Sequence, residues 1–122
     1  MVFPADPSHL GTVRDFARRA AVSLGAQVDL DVLAVLVGEL AANAAVHQSD
    51  DAEITLELVQ GGMLLVTVCD HSEELPRVSG ERPWSTAGHR GIQLVAALAQ
   101  DWGVDSATVG KRVWARLAPI AS

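Results

Sequence analysis

The stretch VGELAANAAVHQSD, residues 37–50, decides how this chain is read. Glu39, Asn43 and His47 stand four apart in it, on a background that is otherwise apolar and rich in alanine. Four-residue spacing puts successive side chains on nearly the same side of a helix. A carboxylate, an amide and an imidazole aligned beside an apolar stripe cost desolvation unless they bind something. An acid one turn from an amide suits a hydrated divalent cation and a water to be activated. The same line also describes the polar border of an ordinary amphipathic helix, and spacing alone leaves both readings open.

Working outward, Asp29 can cap the helix that carries this line, and its apolar positions are Leu33, Leu36, Val37, Leu40 and Ala44. At about 100° per residue the polar line runs along the edge of that stripe, neither fully buried nor fully exposed. Upstream, Pro7 and Ser8 start an earlier helix with Leu10, Val13, Phe16, Ala17, Ala20 and Leu24 at helical spacing, and Gly25 stops it. Downstream, residues 52–60 alternate, with Ile54, Leu56 and Leu58 on one side and Glu53, Thr55 and Glu57 on the other. That is a strand with one wet face. Gly61-Gly62 signals a tight hairpin into a second strand, 63–69, whose apolar run marks it as central. Residues 70–87 read as a polar loop, 92–100 as a third helix opened by Gly88 to Gly91, and 102–105 and 108–117 as two more strands. The order predicts an α+β two-layer sandwich.

Bulk properties narrow the class. The chain has 122 residues, 49% of them hydrophobic, which suits one domain with one core. No apolar run reaches the length of a membrane span, and the N-terminus lacks the pattern of a signal peptide. The single cysteine, Cys69, gives no disulfide framework and fits a reducing cytoplasm; it reads as a small core residue. A net charge of −6 argues against direct nucleic-acid binding. The basic cluster Arg14, Arg18 and Arg19 reads as a solvated helix face.

Three further constellations carry chemistry. Asp70 follows the central strand and is either a turn-capping carboxylate or an acceptor for a ligand amino group. Gly88-His89-Arg90-Gly91 sits where a loop enters a helix. Glycines there let the backbone approach a phosphate, and His89 and Arg90 add positive charge; a loop needing glycine geometry looks the same. Gly110-Lys111-Arg112 is a hairpin turn or a basic edge facing phosphates. Trp84, Trp102 and Trp114 read as packing residues, with Trp84 in the loop that could cover a ligand.

Taken in order, these motifs resemble those of the GHKL (Bergerat-type) ATP-binding fold of gyrase, Hsp90, histidine kinases and MutL. GELAANAAVH resembles its N box, VTVCDHSEELP its first glycine box, GHRGIQLVAALAQDWGV its second, and VGKRVWARL its closing strand. The short loop is similar to that of small actinobacterial proteins related to anti-sigma-factor serine kinases. The resemblance covers nearly the whole chain and implies one domain, 1–122, with a mixed, mostly antiparallel sheet and three helices on one face. It implies ATP and Mg²⁺ as cofactors, held between the helix layer and a flexible lid. Glu39 then matches the general base, Asn43 the Mg²⁺ ligand, and Asp70 the acceptor for the adenine amino group. Gly88 and Gly91 match the phosphate-loop glycines; His89, Arg90 and Lys111 join them as nucleotide-binding residues. The implied activity is phosphorylation of a serine on a STAS-type anti-sigma-factor antagonist, with a sigma factor as a second partner. Whether the chain forms a homodimer stays open.

Two positions depart from the family pattern. Ser72 replaces the usual glycine of the first glycine box, and Arg112 stands near the usual threonine of the closing strand, where it cannot serve as an acceptor. Both weaken the adenine end and leave Glu39 and Asn43 untouched. They motivate an alternative, a non-catalytic or nucleotide-gated binding module of the same fold. A histidine-kinase catalytic domain ranks behind these two, because no dimerisation helix or phosphoacceptor segment precedes Ser8. A metal-only hydrolase ranks last, since no side-chain cluster supplies a full ligand set.

Overall fold

A computed structural model of the chain describes residues 1–4, 7–46, 51–70, 87–106 and 111–120. Strand β1 (Val2–Pro4) comes first. A 3₁₀ turn, Pro7–His9, leads into α1 (Leu10–Leu24), and α2 (Leu30–Val46) follows. Strands β2 (Asp51–Leu58) and β3 (Leu64–Asp70) precede α3 (Ala87–Leu98), and β4 (Asp101–Ser106) and β5 (Lys111–Leu117) close the chain. The sheet order is β1-β2-β3-β5-β4 and every neighbouring pair is antiparallel. The expected mixed sheet is therefore antiparallel throughout, and β3 is its middle strand as its apolar run predicts.

Local chemistry sets the helix ends. Gly25 adopts φ 74°, and the bonds Gly25 N–H to Val22 O and Ala26 N–H to Ala21 O, both 3.0 Å, close α1 in a left-handed turn. Asp29 Oδ1 accepts from the backbone N–H of Asp31 at 2.9 Å and of Val32 at 3.2 Å, satisfying two orphan donors of α2. The two helices are thus joined by only a few residues and lie side by side. Between β2 and β3, Val59 N–H donates to Met63 O at 2.8 Å and Gly62 N–H to Val59 O at 3.2 Å, so the hairpin loop is a turn over Gln60–Gly62 rather than two glycines alone. Gly61 and Gly62 both take positive φ there.

The core lies between sheet and helices. Ala52 and Ile54, then Leu64, Val66 and Val68, then Val113, Ala115 and Leu117 are buried along three neighbouring strands. Val13, Ala17 and Ala21 of α1 and Leu33, Leu36, Val37, Leu40 and Ala41 of α2 meet them. Helix α2 packs against α1 on one side, α3 on the other, and β2 and β3 beneath. Leu58, expected inward, is 43% exposed because β2 runs out at the hairpin. Strand β1 is absent from the sequence reading. Three residues are too few to show a period, yet Phe3 is buried and its neighbours pair with β2.

Among the described residues no helix packs on the outer face of the sheet. Trp114 lies there flat on Gly103 of the adjacent strand, and a Cβ at Gly103 would sit 2.7 Å from the indole Cζ2. Trp102 faces the other way and packs against the core. Beside Trp114, Arg116 grips Asp101 with two donors, Nε to Oδ1 at 2.6 Å and Nη2 to Oδ2. Those hydrogen bonds hold the Asp101 carboxyl below its ordinary range. Cys69, expected in the core, is instead half-buried on this face, opposite Arg112. Burial pushes its thiol pKa up, with the Arg112 guanidinium pulling it down.

Two outcomes follow for stability. Gly103→Ala is expected to displace the Trp114 ring and cost about 1–3 kcal/mol, read by urea unfolding together with a change in tryptophan emission. Because the folded-state pKa of Asp101 is depressed, the stabilisation from its pairing is present at neutral pH and is lost as pH falls through that lowered value. Wild type and Asp101→Asn should therefore differ in stability near neutrality and converge in acid. A constant difference across the range would show that the carboxylate charge contributes nothing.

Candidate active site

Helix α2 presents its two polar residues unequally. Glu39 is half-buried, whereas Asn43 is only 5% exposed. The sequence places both at the border of the apolar stripe; the structure corrects this for Asn43. Position 43 falls in the helical phase of Leu36 and Leu40, which are fully buried, and α2 has neighbours on both flanks. Asn43 is thus a polar residue on the core stripe. Among the described residues neither Oδ1 nor Nδ2 of Asn43 has a hydrogen-bond partner. Such a group costs about 1–3 kcal/mol when buried and calls for a ligand or an ordered water. Its carbonyl oxygen suits a hard divalent cation. Among the described residues no cluster of three or more His, Cys, Asp or Glu side chains could hold a metal by itself. A cation here would need Asn43, water and ligand oxygens together, and the residues present fit that arrangement. His47 lies outside the described residues.

The topology brings the other predicted positions to the same end of the sandwich. Asp70 is the last residue of β3 and stands in register with Ala52 on one side and Lys111 on the other. Ala52 is the second residue of β2, a few residues after α2 ends. Helix α3 ends beside the start of β4, where Gln100 N–H donates to Arg116 O at 2.8 Å, at the opposite end of the sheet. Its N-terminus therefore points back toward Asp70 and Lys111. That helix begins at Ala87, earlier than the expected Ile92, so Gly88, His89, Arg90 and Gly91 lie inside its opening turns. The first four N–H groups of a helix have no partner within it and favour an anion. The side chains of Asp70, His89, Arg90 and Lys111, and all of Ser72 and Trp84, lie outside what the structure describes.

Arg112 requires a correction. Val113, Ala115 and Leu117 are buried, so Arg112, one residue out of phase, is exposed on the outer face of the sheet. Its charge does not enter the space between the layers, and its departure from the family pattern does not bear on that space.

The basic cluster of α1 is also placed differently from expectation. Arg14 and Arg18 line a groove of about 460 Å³ between α1 and α2, together with Leu10, Ala34, Gly38 and Glu39. Arg14 reaches across Gly38, and a Cβ there would sit 3.1 Å from Nη1. Arg18 pairs with Asp15 at 3.2 Å on the surface, and Arg19 is exposed as expected. Sequence spacing shows Arg14 and Arg18 on one face of α1, but not that the face looks onto Glu39.

Residues 3–117 match the family model described as a histidine kinase-like ATPase domain. The chain belongs to this family. Among solved structures, the histidine kinase domain from the Erythrobacter litoralis EL346 blue-light activated histidine kinase shares the fold. Its TM-score is 0.53 at 21% identity, over 94% of this chain and 61% of that one. The present chain thus spans about three fifths of that neighbour. No curated protein matches it. As a histidine kinase-like ATPase domain it has the five-stranded antiparallel sheet and three helices of the GHKL fold. Among the described residues no helix is long and apolar enough to cross a membrane.

If Asn43 awaits a ligand, removing its polarity relieves the empty protein. Asn43→Leu is expected to stabilise the ligand-free chain by about 1 kcal/mol or more in chemical denaturation. Equal or lower stability would mean that the amide is already satisfied by bound water.

Proposed function

We propose that this chain is an ATP- and Mg²⁺-dependent regulatory kinase that phosphorylates a serine on a protein partner of the STAS-type anti-sigma-factor antagonist class. The observation that carries the reading is the buried, unpartnered amide of Asn43 one helical turn from the half-buried carboxylate of Glu39. Family membership supports the nucleotide, because histidine kinase-like ATPase domains bind ATP, usually with Mg²⁺. The antagonist and a sigma factor as partners rest on the motif resemblance alone.

Asn43 Oδ1 would hold Mg²⁺, whose chemistry is to neutralise the phosphate oxygens during transfer. Asp70 would accept from the exocyclic amino group of adenine, and the opening turn of α3 with Lys111 would take the phosphates. Glu39 removes the proton from the acceptor hydroxyl. That oxygen bonds to the γ-phosphorus, the bond from phosphorus to the β,γ-bridging oxygen breaks, and its electrons leave with ADP. Binding and transfer are thereby separable. Asn43 and Asp70 serve mainly the first, Glu39 the second. The non-catalytic alternative loses the support it drew from Arg112, which faces away from the site; Ser72 remains its motive.

Calorimetric titration with ATP and ADP, with and without Mg²⁺, tests the reading. Wild type should bind both in the low micromolar range, about 7–8 kcal/mol. Asn43→Ala should lose most of the Mg²⁺ dependence, and Asp70→Asn should weaken adenine nucleotides selectively. Glu39→Ala should keep nucleotide affinity and lower phosphoryl transfer to a cognate antagonist by about 10²-fold or more. Absence of binding at high micromolar nucleotide sinks the proposal, and binding without transfer to the true partner leaves only the binding module.

A further inference from the structure

The groove between α1 and α2 runs past Glu39 to Ala42, and of its charged residues only Arg18 has an ion-pair partner among the described residues. Arg18 is paired with Asp15, and with Asp31 it lies toward the end where α1 turns into α2. Arg14 lies further along, over Gly38, and among the described residues its guanidinium has no ion-pair partner. Glu39 is the next residue of α2 and is likewise unpaired among the described residues. Between the two helices the floor is apolar, formed by Leu10, Ala34 and Val35, and Val35 is 44% exposed. Among the described residues the groove therefore offers an apolar seat, one unpaired cation, Arg14, and two unpaired carboxylates, Asp31 at one end and Glu39 beside Arg14.

A guanidinium presents several donors in a planar fork that matches a carboxylate. The adjoining Glu39 would repel an acid and accept from a hydroxyl. We propose that Arg14 determines which serine is phosphorylated, by pairing with an acidic side chain immediately beside the acceptor hydroxyl while that segment lies in the α1–α2 groove. Gly38 belongs to the same device, since a side chain there would meet Arg14. The occupant is an extended acidic segment of a partner protein. This inference rests on the role proposed for Glu39, but binding in the groove needs no nucleotide and can be measured without it.

The test uses three peptides, acetyl-Ala-Asp-Ser-Asp-Ala-amide and its Asn-Ser-Asn and Lys-Ser-Lys counterparts. Each is titrated into the full chain while backbone amide shifts are followed by NMR, and nucleotide binding is measured in parallel. The acidic peptide should give saturable shifts at Leu10, Arg14, Val35, Gly38 and Glu39, with about threefold or greater preference over the amide peptide, weakening as salt rises. Arg14→Gln should erase that preference and Arg14→Glu should turn it toward the lysine peptide. Should Arg14→Glu fail to fold, Arg14→Gln decides. Equal affinity for the acidic and amide peptides, a preference untouched by Arg14→Gln, or no saturable shift with any peptide overturns the inference. Those results with normal nucleotide binding leave the kinase reading intact. A clear acidic preference in a chain that binds no nucleotide overturns the kinase reading and keeps the groove as a docking site.

Discussion

The burial of α2 on three sides is the constraint from which the rest of this structure follows. A helix with a neighbour on each flank and a sheet beneath has little open circumference, and it must fill the remainder with apolar side chains. Leu33, Leu36, Val37, Leu40 and Ala41 do so. Asn43 enters the same enclosed space at a cost in solvation that no neighbour among the described residues offsets. Glu39 escapes burial only because its side of the helix meets the groove beside α1. The difference in burial between these two residues, one turn apart, is what the separate roles proposed for them rest on.

Strand order then decides what can gather around α2. An antiparallel sheet with β3 in its middle brings Asp70 and Lys111 to neighbouring positions at one end, and α3 runs back toward that end. The outer face is left to a different chemistry. Arg116 and Asp101 form a forked pair there, and an indole lies against a glycine backbone.

Features set by local chemistry were legible in the sequence. Gly25 and Asp29 mark helix ends because a left-handed turn and a capping carboxylate act within a few residues. The apolar run of β3 announced a central strand. Features that depend on two elements meeting were not. Periodicity puts Asn43 at the border because it gives a direction on one helix and not the number of neighbours around it. Resemblance puts Arg112 near the adenine end, whereas the two-residue alternation of β5 turns it outward. The α1–α2 groove exists only once two arginines from one helix face a glycine and an acid from another. The order of the elements held better than the orientation of single residues, because order along the chain constrains topology more than identity constrains orientation.

Strand β1 shows how unevenly the sheet is secured. The amino group of Met1 donates to Ile54 O at 2.8 Å, and Ile54 N–H returns to Met1 O at 2.9 Å, between residues 53 positions apart. The β3–β5 ladder closes loops of comparable length but spreads that entropy over seven-residue strands, whereas β1 has three residues and one buried side chain, Phe3. Loop-closure entropy depends only weakly on length, so the shorter ladder carries the larger cost per residue ordered. In kinetic terms β1 forms the low-stability margin of the sheet, the place where opening can begin while the α2–β2–β3 centre stays shut.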